Sequence, residues 1–355
     1  MTSITVTVGP SSIKPEILRK LIEAGAESFR INLSHSNKES LEYYFSVLNM
    51  VGITPAIDTN GAQLRVIDTN LPQKISSGEE VNLYFGTKSE DLCDHSKFFI
   101  LLNHPEAFEQ ISNNDIIKID FNGLALQVKD KTNKPSCIGK VISSGPVVIN
   151  RAVDVKSKTL ELSVLTEFDK YAIEYALNKG INEIYASFIS NANQTRSIRN
   201  LAGDNIKIIS KIETALAVTN ILEIIDVSDK ILVDRGDLSR EISIPLVPLA
   251  VFNILKLSKT KNKPVMIATN VLDSMMTQNI PSRAEISDIF SHLSAGASGF
   301  VLAAEVAIGS NPVSSTALLK HLIELFNNHK NGLHGIGRIK NPSLELIGNE
   351  LYNWL

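Results

Sequence analysis

The stretch IKIISKIET, residues 206–214, ends an apolar run with an ammonium and a carboxylate two positions apart. Side chains at i and i+2 of a strand project to the same side, so Lys211 and Glu213 stand together where the strand finishes. A second carboxylate, Asp237, follows in RGDLS, residues 235–239. Glu213 and Asp237 suit a hard divalent cation, Mg2+ or Mn2+, which takes few protein ligands and completes its shell with substrate oxygens and water. Lys211 and Arg30 are cations of the kind that neutralise a phosphoryl group in transfer, a chemistry made mostly of positioning and charge. The backbone N–H groups at the start of RGDLS offer a seat for a carboxylate. Taken singly, each feature also has a plain structural reading. Lys211 with Glu213 makes an ordinary ion pair, and the tripeptide RGD alone carries almost no information.

The elements that must position these residues follow from the apolar pattern. Short β-rich runs recur at residues 3–9, 27–33, 53–58, 182–188, 206–212, 230–234, 264–269 and 299–304. Amphipathic helical patterns cover 14–24, 38–50, 167–178, 215–226, 246–257, 283–293 and 313–326. The first of these has Pro15 near its start and Gly25 as its stop. Continuous apolar strands alternating with helices predict parallel strands covered by helices, and eight such units predict an α/β fold of the (β/α)8, or TIM, barrel type. The pattern breaks between residues 67 and 163, where EEVNLYF, DIIKID, LALQVKD and GPVVIN alternate with Gly, Asn, Asp and Pro. That is an all-β reading, a domain inserted after the third barrel strand. The expected organisation is therefore a barrel from 1–66 and 164–330, an inserted β lid at 67–163, and a tail at 331–355 with a short helix over 342–355.

In such a barrel the strand ends carry the chemistry. Here they bring Arg30, Asn32 and Ser34, then Asp58 and Thr59, then Lys211 and Glu213, then Arg235 and Asp237, then Thr269 and Asn270, and finally Glu305 to one rim. The insert leaves from that rim, which suits a lid. Loop hydrogen bonding explains Asn32, Ser34, Asp58 or Thr59 individually; it does not explain the whole set falling together.

The bulk numbers exclude some classes. Across 355 residues, 43% hydrophobic and 21% charged residues with a net charge of −3 make an ordinary globular composition. There is no basic field for nucleic acid or an anionic membrane, and no apolar run long enough to span a bilayer. MTSITVTVGPSS does not read as a signal peptide. Cys93 and Cys137 lack metal-ligand spacing, so a reducing cytoplasm is the expected location.

At the level of motifs the sequence resembles the pyruvate kinase family. The resemblance runs from TVGPSS (7–12) to GSNPV (309–313). It is densest in FRINLSH (29–35), DTNGAQLR (58–65), KIISKIE (207–213), RGDLSREI (235–242), ATNVLDSMM (268–276) and PSRAEISD (281–288). It implies a barrel, a β lid, Mg2+, a monovalent cation, and phosphoryl transfer from phosphoenolpyruvate to ADP. By position, Arg30 and Arg65 match phosphate-binding arginines, and Lys211 matches the lysine on the transferring phosphoryl group. Glu213 and Asp237 match Mg2+ ligands, and Asn32, Ser34, Asp58 and Thr59 match a K+ site. Gly236 and Asp237, beside Arg235, match the amides on the substrate carboxylate. Thr269 matches the threonine beside the enol carbon. The nucleotide side takes in Asn32, His35, Arg65 and Arg151.

The departures are equally specific. Asn60, Ala62 and Gln63 stand for the family's usual Lys, Pro and Glu, and Phe121 and Asn122 for paired lid aspartates. Arg151 replaces a lid lysine, Asp234 a usual Ala, and Asn270 a Gln. Ala303, Ala304, Val306 and Ile308 replace Ser, Gly, Thr and Lys. The family's C-terminal domain is not expected in this chain, and a homo-oligomer through the barrel is among the expectations. Three readings of function stay open: a phosphotransferase from phosphoenolpyruvate to ADP or another acceptor; a barrel enzyme on phosphoenolpyruvate or a related α-keto acid with different chemistry, as a lyase or decarboxylase or by transfer to a non-nucleotide acceptor; and a non-catalytic homologue.

Overall fold

The computed structural model describes residues 2–330 apart from 73–74, 87–93, 121–122, 132–135, 157 and 159. The readings placed on Cys93, Phe121, Asn122 and a helix over 342–355 lie outside the described residues. The chain divides into two compact units, Met1–Gly61 with Leu165–Leu355, and Ala62–Val164.

The described strands are β1 (Ser3–Val8), β2 (Ser28–Asn32), β3 (Ala56–Asp58), β4 (Val66–Thr69), β5 (Glu80–Phe85), β6 (Phe99–Leu102), β7 (Ile116–Ile119), β8 (Ala125–Asp130), β9 (Ser136–Ser143), β10 (Val153–Val155), β11 (Glu183–Ala186), β12 (Lys207–Ile212), β13 (Lys230–Asp234), β14 (Val265–Ala268) and β15 (Gly299–Leu302). In the first unit eight of them close into a barrel in the order β1-β15-β14-β13-β12-β11-β3-β2, and every pairing is parallel. The barrel expected from the alternating pattern is thus present.

Strand alternation sorts the side chains. Ala56, Tyr185, Ile209, Leu232, Met266 and Val301 pack together inside the barrel. Their neighbours Ile57, Ile184, Ile208, Ile231, Ile267 and Phe300 are buried as well; by alternation they lie on the outer face, which the helices cover. Two residues beyond Ile209 and Leu232 come Lys211 and Asp234, so the pleat that fills the barrel with hydrocarbon also aims these two polar groups inward.

The helical layer matches expectation at Pro15–Glu23, Lys38–Met50, Glu167–Asn178, Val247–Thr260, Arg283–Ala295 and Pro312–Lys330. Two places differ. The helix expected over 215–226 is broken at Asn220 into Ala215–Thr219 and Ile221–Val227. A further helix, Ala192–Ala202, buries Ala192, Thr195, Ile198 and Ala202, so its inward stripe holds a single large apolar residue, Ile198.

The second unit is a seven-stranded sheet ordered β10-β7-β8-β9-β5-β6-β4. It is antiparallel except for β5 beside β6. Val81, Leu83, Ile100, Leu102, Leu126 and Val128 contribute to its own core. A single helical turn, Ala107–Gln110, amends the all-β expectation.

Candidate active site

Lys211 is the centre of a buried polar cluster at the C-terminal ends of the barrel strands. Its Nζ lies 2.7 Å from Glu213 Oε1, 3.2 Å from Asp58 Oδ1 and 3.5 Å from Asp234 Oδ2, and it donates to Ser187 Oγ at 3.1 Å. Arg30 enters from β2: its Nη1 meets Asp58 Oδ2 at 2.7 Å and its Nε donates to Thr7 Oγ1 at 2.8 Å. Parallel register places these groups side by side, since Thr7 pairs with Arg30 and Asn32 with Asp58 across neighbouring strands.

Both Glu213 oxygens are engaged. Oε2 accepts the Phe188 backbone N–H at 2.6 Å, and Phe188 holds a left-handed φ of 55°. A bulky residue adopts that region at a cost, which the bond to a buried carboxylate helps to offset. Thr269 and Asn270 are also left-handed, at 70° and 53°. That turn lifts the Thr269 hydroxyl onto Asp234, donating to Oδ1 at 2.5 Å. Gly236 is required for this approach, because a Cβ there would fall 2.7 Å from Thr269 Cγ2.

The charges influence one another. Burial alone would push Lys211 down, but Asp58, Glu213 and Asp234 outweigh it and hold the ammonium above the ordinary lysine range. Burial pushes the Glu213 carboxyl up against the pull of Lys211, with Asp234 and Asp237 adding to the rise. Burial acts on Asp234 in the same sense, but there Lys211, the Thr269 hydroxyl and Arg30 prevail and the carboxyl is held below its usual range.

Glu213, Asp234 and Asp237 each present a carboxylate oxygen, all within 4.8 Å of one another. Three hard oxygen donors within reach of one another fit a divalent cation of the Mg2+ type, whose own charge would favour the ionised Glu213 that burial disfavours.

Of the residues singled out in the sequence, Arg30, Asp58, Lys211, Glu213 and Asp237 come together here. Asn32 caps the turn Leu33–His35, accepting the Ser34 N–H at 2.9 Å. His35 is exposed at the end of that turn. Thr59 Oγ1 accepts the Ser187 N–H at 3.0 Å. Gly236 and Asp237 lie in the short helix Arg235–Glu241. The Arg235 guanidinium donates to the carbonyls of Ala268, Thr269 and Asn270 and to Asp288 at 2.5 Å. It braces the turn that carries Thr269. Glu305 is buried and accepts the N–H groups of Val271, Leu272 and Ala303, so it ties two rim loops together. Arg65 and Arg151 belong to the second unit, where Arg65 donates to the Asn150 carbonyl and Arg151 pairs with Asp120 at 3.2 Å.

Sequence reasoning missed Ser187, the Phe188 amide and Asp169. The Asp169 carboxylate is fully buried and holds the loop after β3. It accepts from Asn60 N at 2.7 Å, Asn60 Nδ2 at 3.3 Å and Gly61 N at 3.2 Å, and from Thr166 N and Oγ1 at 2.9 Å each. Asp234 was visible as a departure, and its place in the cluster could have been read from alternation, since it lies two residues beyond the inward Leu232.

A family model described as pyruvate kinase, barrel domain, matches residues 1–316. Pyruvate kinase of Agrobacterium vitis is 32% identical over 338 residues, covering 92% of this chain and 69% of that protein. Pyruvate kinase of Clostridium perfringens is 31% identical over 353 residues, with 96% and 73% covered. Pyruvate kinase 1 of Saccharomyces cerevisiae is 30% identical over 333 residues, with 90% and 66% covered. No helix among the described residues is long and apolar enough to cross a membrane.

Proposed function

The chain belongs to the pyruvate kinase family, and on that premise we propose that it is a pyruvate kinase-like phosphotransferase acting between phosphoenolpyruvate and a nucleotide. The observation that carries the proposal is Lys211, a buried ammonium held against Glu213, Asp58 and Asp234 with Arg30 one carboxylate away. So many charges are costly to bury in a merely structural role. They are what a transferring phosphoryl group and an enolate require.

Each residue then has a task. Lys211 and Arg30 supply positive charge to the phosphoryl oxygens, and Lys211 steadies the enolate oxygen left when the P–O bond breaks. Thr269, aligned by Asp234, stands beside the carbon that takes the proton. The amides of Gly236 and Asp237 receive the substrate carboxylate. Glu213 and Asp237 would hold Mg2+, or Mn2+, which when bound supplies Lewis-acid charge to the substrate oxygens. Asn32 and Asp58, partners across β2 and β3, with Ser34 and Thr59, form the oxygen set proposed for K+. Arg65 and Arg151 in the second unit are proposed for the nucleotide, and that unit for the lid.

One observation favours a second reading, in which enolate chemistry is kept but the acceptor is not a nucleotide. Ile308 is 62% exposed just past the turn Ala304–Ala307, an apolar tip where the family commonly has a lysine. The test is pyruvate production from phosphoenolpyruvate with Mg2+ and K+, with and without ADP. ADP-dependent pyruvate and ATP, abolished in Lys211→Met, are expected. Pyruvate formed equally without ADP would refute the kinase reading in favour of the second one.

A further inference from the structure

We propose that Asp234 is a third carboxylate ligand of the divalent-cation site, so that the cation binds the free protein before any acid substrate arrives. This deepens the cation reading above and rests on it. Asp234 stands where the family commonly has alanine, so the proposal concerns a residue that the family match does not assign.

Three observations support it. The Asp234 side chain closes β13 two residues beyond Leu232, which packs inside the barrel, so it enters the interior from the strand next to the one bearing Lys211 and Glu213. One of its oxygens lies within 4.8 Å of ligand atoms on both Glu213 and Asp237. The carboxylate is also held in place: Oδ1 accepts the Thr269 hydroxyl at 2.5 Å, while Oδ2 is only loosely engaged, 3.5 Å from Lys211 Nζ. A carboxylate oxygen has two lone pairs, so neither interaction uses up its capacity to accept.

The consequence concerns binding order. Mg2+ held by one or two carboxylates relies on substrate oxygens to complete its shell. A third carboxylate adds a donor and a charge, so the free protein should hold the cation more tightly than Glu213 and Asp237 would without it. The bond to Thr269 then links cation occupancy to the orientation of the hydroxyl that faces the substrate.

The test uses Mn2+ as the probe, titrated into the full chain without acid or nucleotide and followed by electron paramagnetic resonance and calorimetry. The parent is expected to bind one Mn2+. Asp234→Ala and Asp234→Asn should each weaken it at least about tenfold, the lower end of what losing even an outer-sphere partner costs a metal site. Asp234→Asn is isosteric, so it decides the matter if the alanine variant does not fold. Unchanged affinity in Asp234→Asn, with binding lost in Glu213→Gln, overturns the role of Asp234 and leaves the cation site standing. Weakening in Asp234→Ala that Asp234→Asn fully restores overturns ligation and assigns Asp234 to holding Thr269. No Mn2+ binding by the parent overturns the proposal, and a repeat with oxalate present decides the cation reading separately: binding restored by oxalate and lost in Glu213→Gln keeps that reading, and no binding overturns it as well.

Discussion

Asp169 lies on the outer helix Glu167–Asn178, yet its replacement should damage the rim of the barrel. The carboxylate caps its own helix through Thr166 and reaches the chain just after β3, where it accepts the amides of Asn60 and Gly61. Those residues follow Asp58 and Thr59, and Gly61 has no room for a side chain, since a Cβ would meet the Ser187 carbonyl at 2.5 Å. In Asp169→Ala Thr166 still accepts the N–H of position 169, but the Thr166 N–H loses its acceptor, so the reciprocal half of the capping box goes at a cost of about 1 kcal/mol. The Gly61 and Asn60 N–H groups lose a charged acceptor, which costs roughly 1–3 kcal/mol where water does not replace it. About 3 kcal/mol in all is the expected loss, and in a unit of this size it should lower the thermal midpoint by roughly 6–12 °C. Burial pushes the Asp169 carboxyl above its usual range while the N–H and O–H donors oppose the shift; Asp169→Asn removes the buried charge but turns an amide NH2 toward donors that one carboxylate oxygen had accepted, so it should not restore the parent midpoint. Differential scanning calorimetry measures the midpoints, and the proposed turnover of phosphoenolpyruvate with ADP, once established for the parent, reports whether Asp58 has kept its place. A midpoint within about 2 °C of the parent for Asp169→Ala would refute the argument, because the five donors would then be satisfied equally well without the carboxylate.

Three other perturbations test separate parts of the structure. Gly236→Ala drives a methyl against Thr269, so the proposed phosphoenolpyruvate turnover should fall by at least about tenfold, near 1.4 kcal/mol of barrier, with the thermal midpoint little changed; a variant as active as the parent would contradict the packing of that turn. Burial acts to raise the Asp229 carboxyl, but its bonds from Arg199 and the Ile208 N–H outweigh this and hold it below its usual range. The stability it contributes is therefore complete above the ordinary carboxylate range and lost as the pH falls through its depressed value. The gap in midpoint between the parent and Asp229→Asn should be full at neutral pH and close on acidification, and a gap that widened in acid would reverse the sign. Burial pushes the Cys137 thiol up to about 12, so peptide mapping should find it unalkylated in the native protein at mildly alkaline pH and labelled once urea unfolds the second unit.

How much of this could be read from the sequence depends on how local each feature is. The eight barrel strands were legible because each is a short, mostly apolar run bounded by turn residues and followed, in most cases, by a helical pattern. The helix at 283–295 was legible because apolar spacing and a Ser282–Glu285 capping box mark it. Helix 192–202 was not, because its inward stripe is Ala, Thr and Ile and lacks the large apolar period that signals an amphipathic helix. The break at Asn220 was hidden for the opposite reason: Ala215–Val227 keeps an apolar period straight through it.

In the site, the residue types at the strand ends could be listed from the sequence, but their pairings could not. Lys211 meets Glu213 within one strand, which alternation predicts. It meets Asp58 only because β11 intervenes in a closed barrel, and Arg30 reaches the same carboxylate from the far side. Such pairings depend on barrel closure and strand order, quantities that no window of sequence contains. Arg235 shows the limit most sharply. Its motif position implies a place beside the substrate carboxylate, but says nothing of the backbone carbonyls that the left-handed turn at Thr269 and Asn270 offers and that the side chain meets. A non-glycine left-handed pair leaves little mark in residue type, so the partner of Arg235 became visible only with the backbone, and with it the reason that Thr269 faces Asp234.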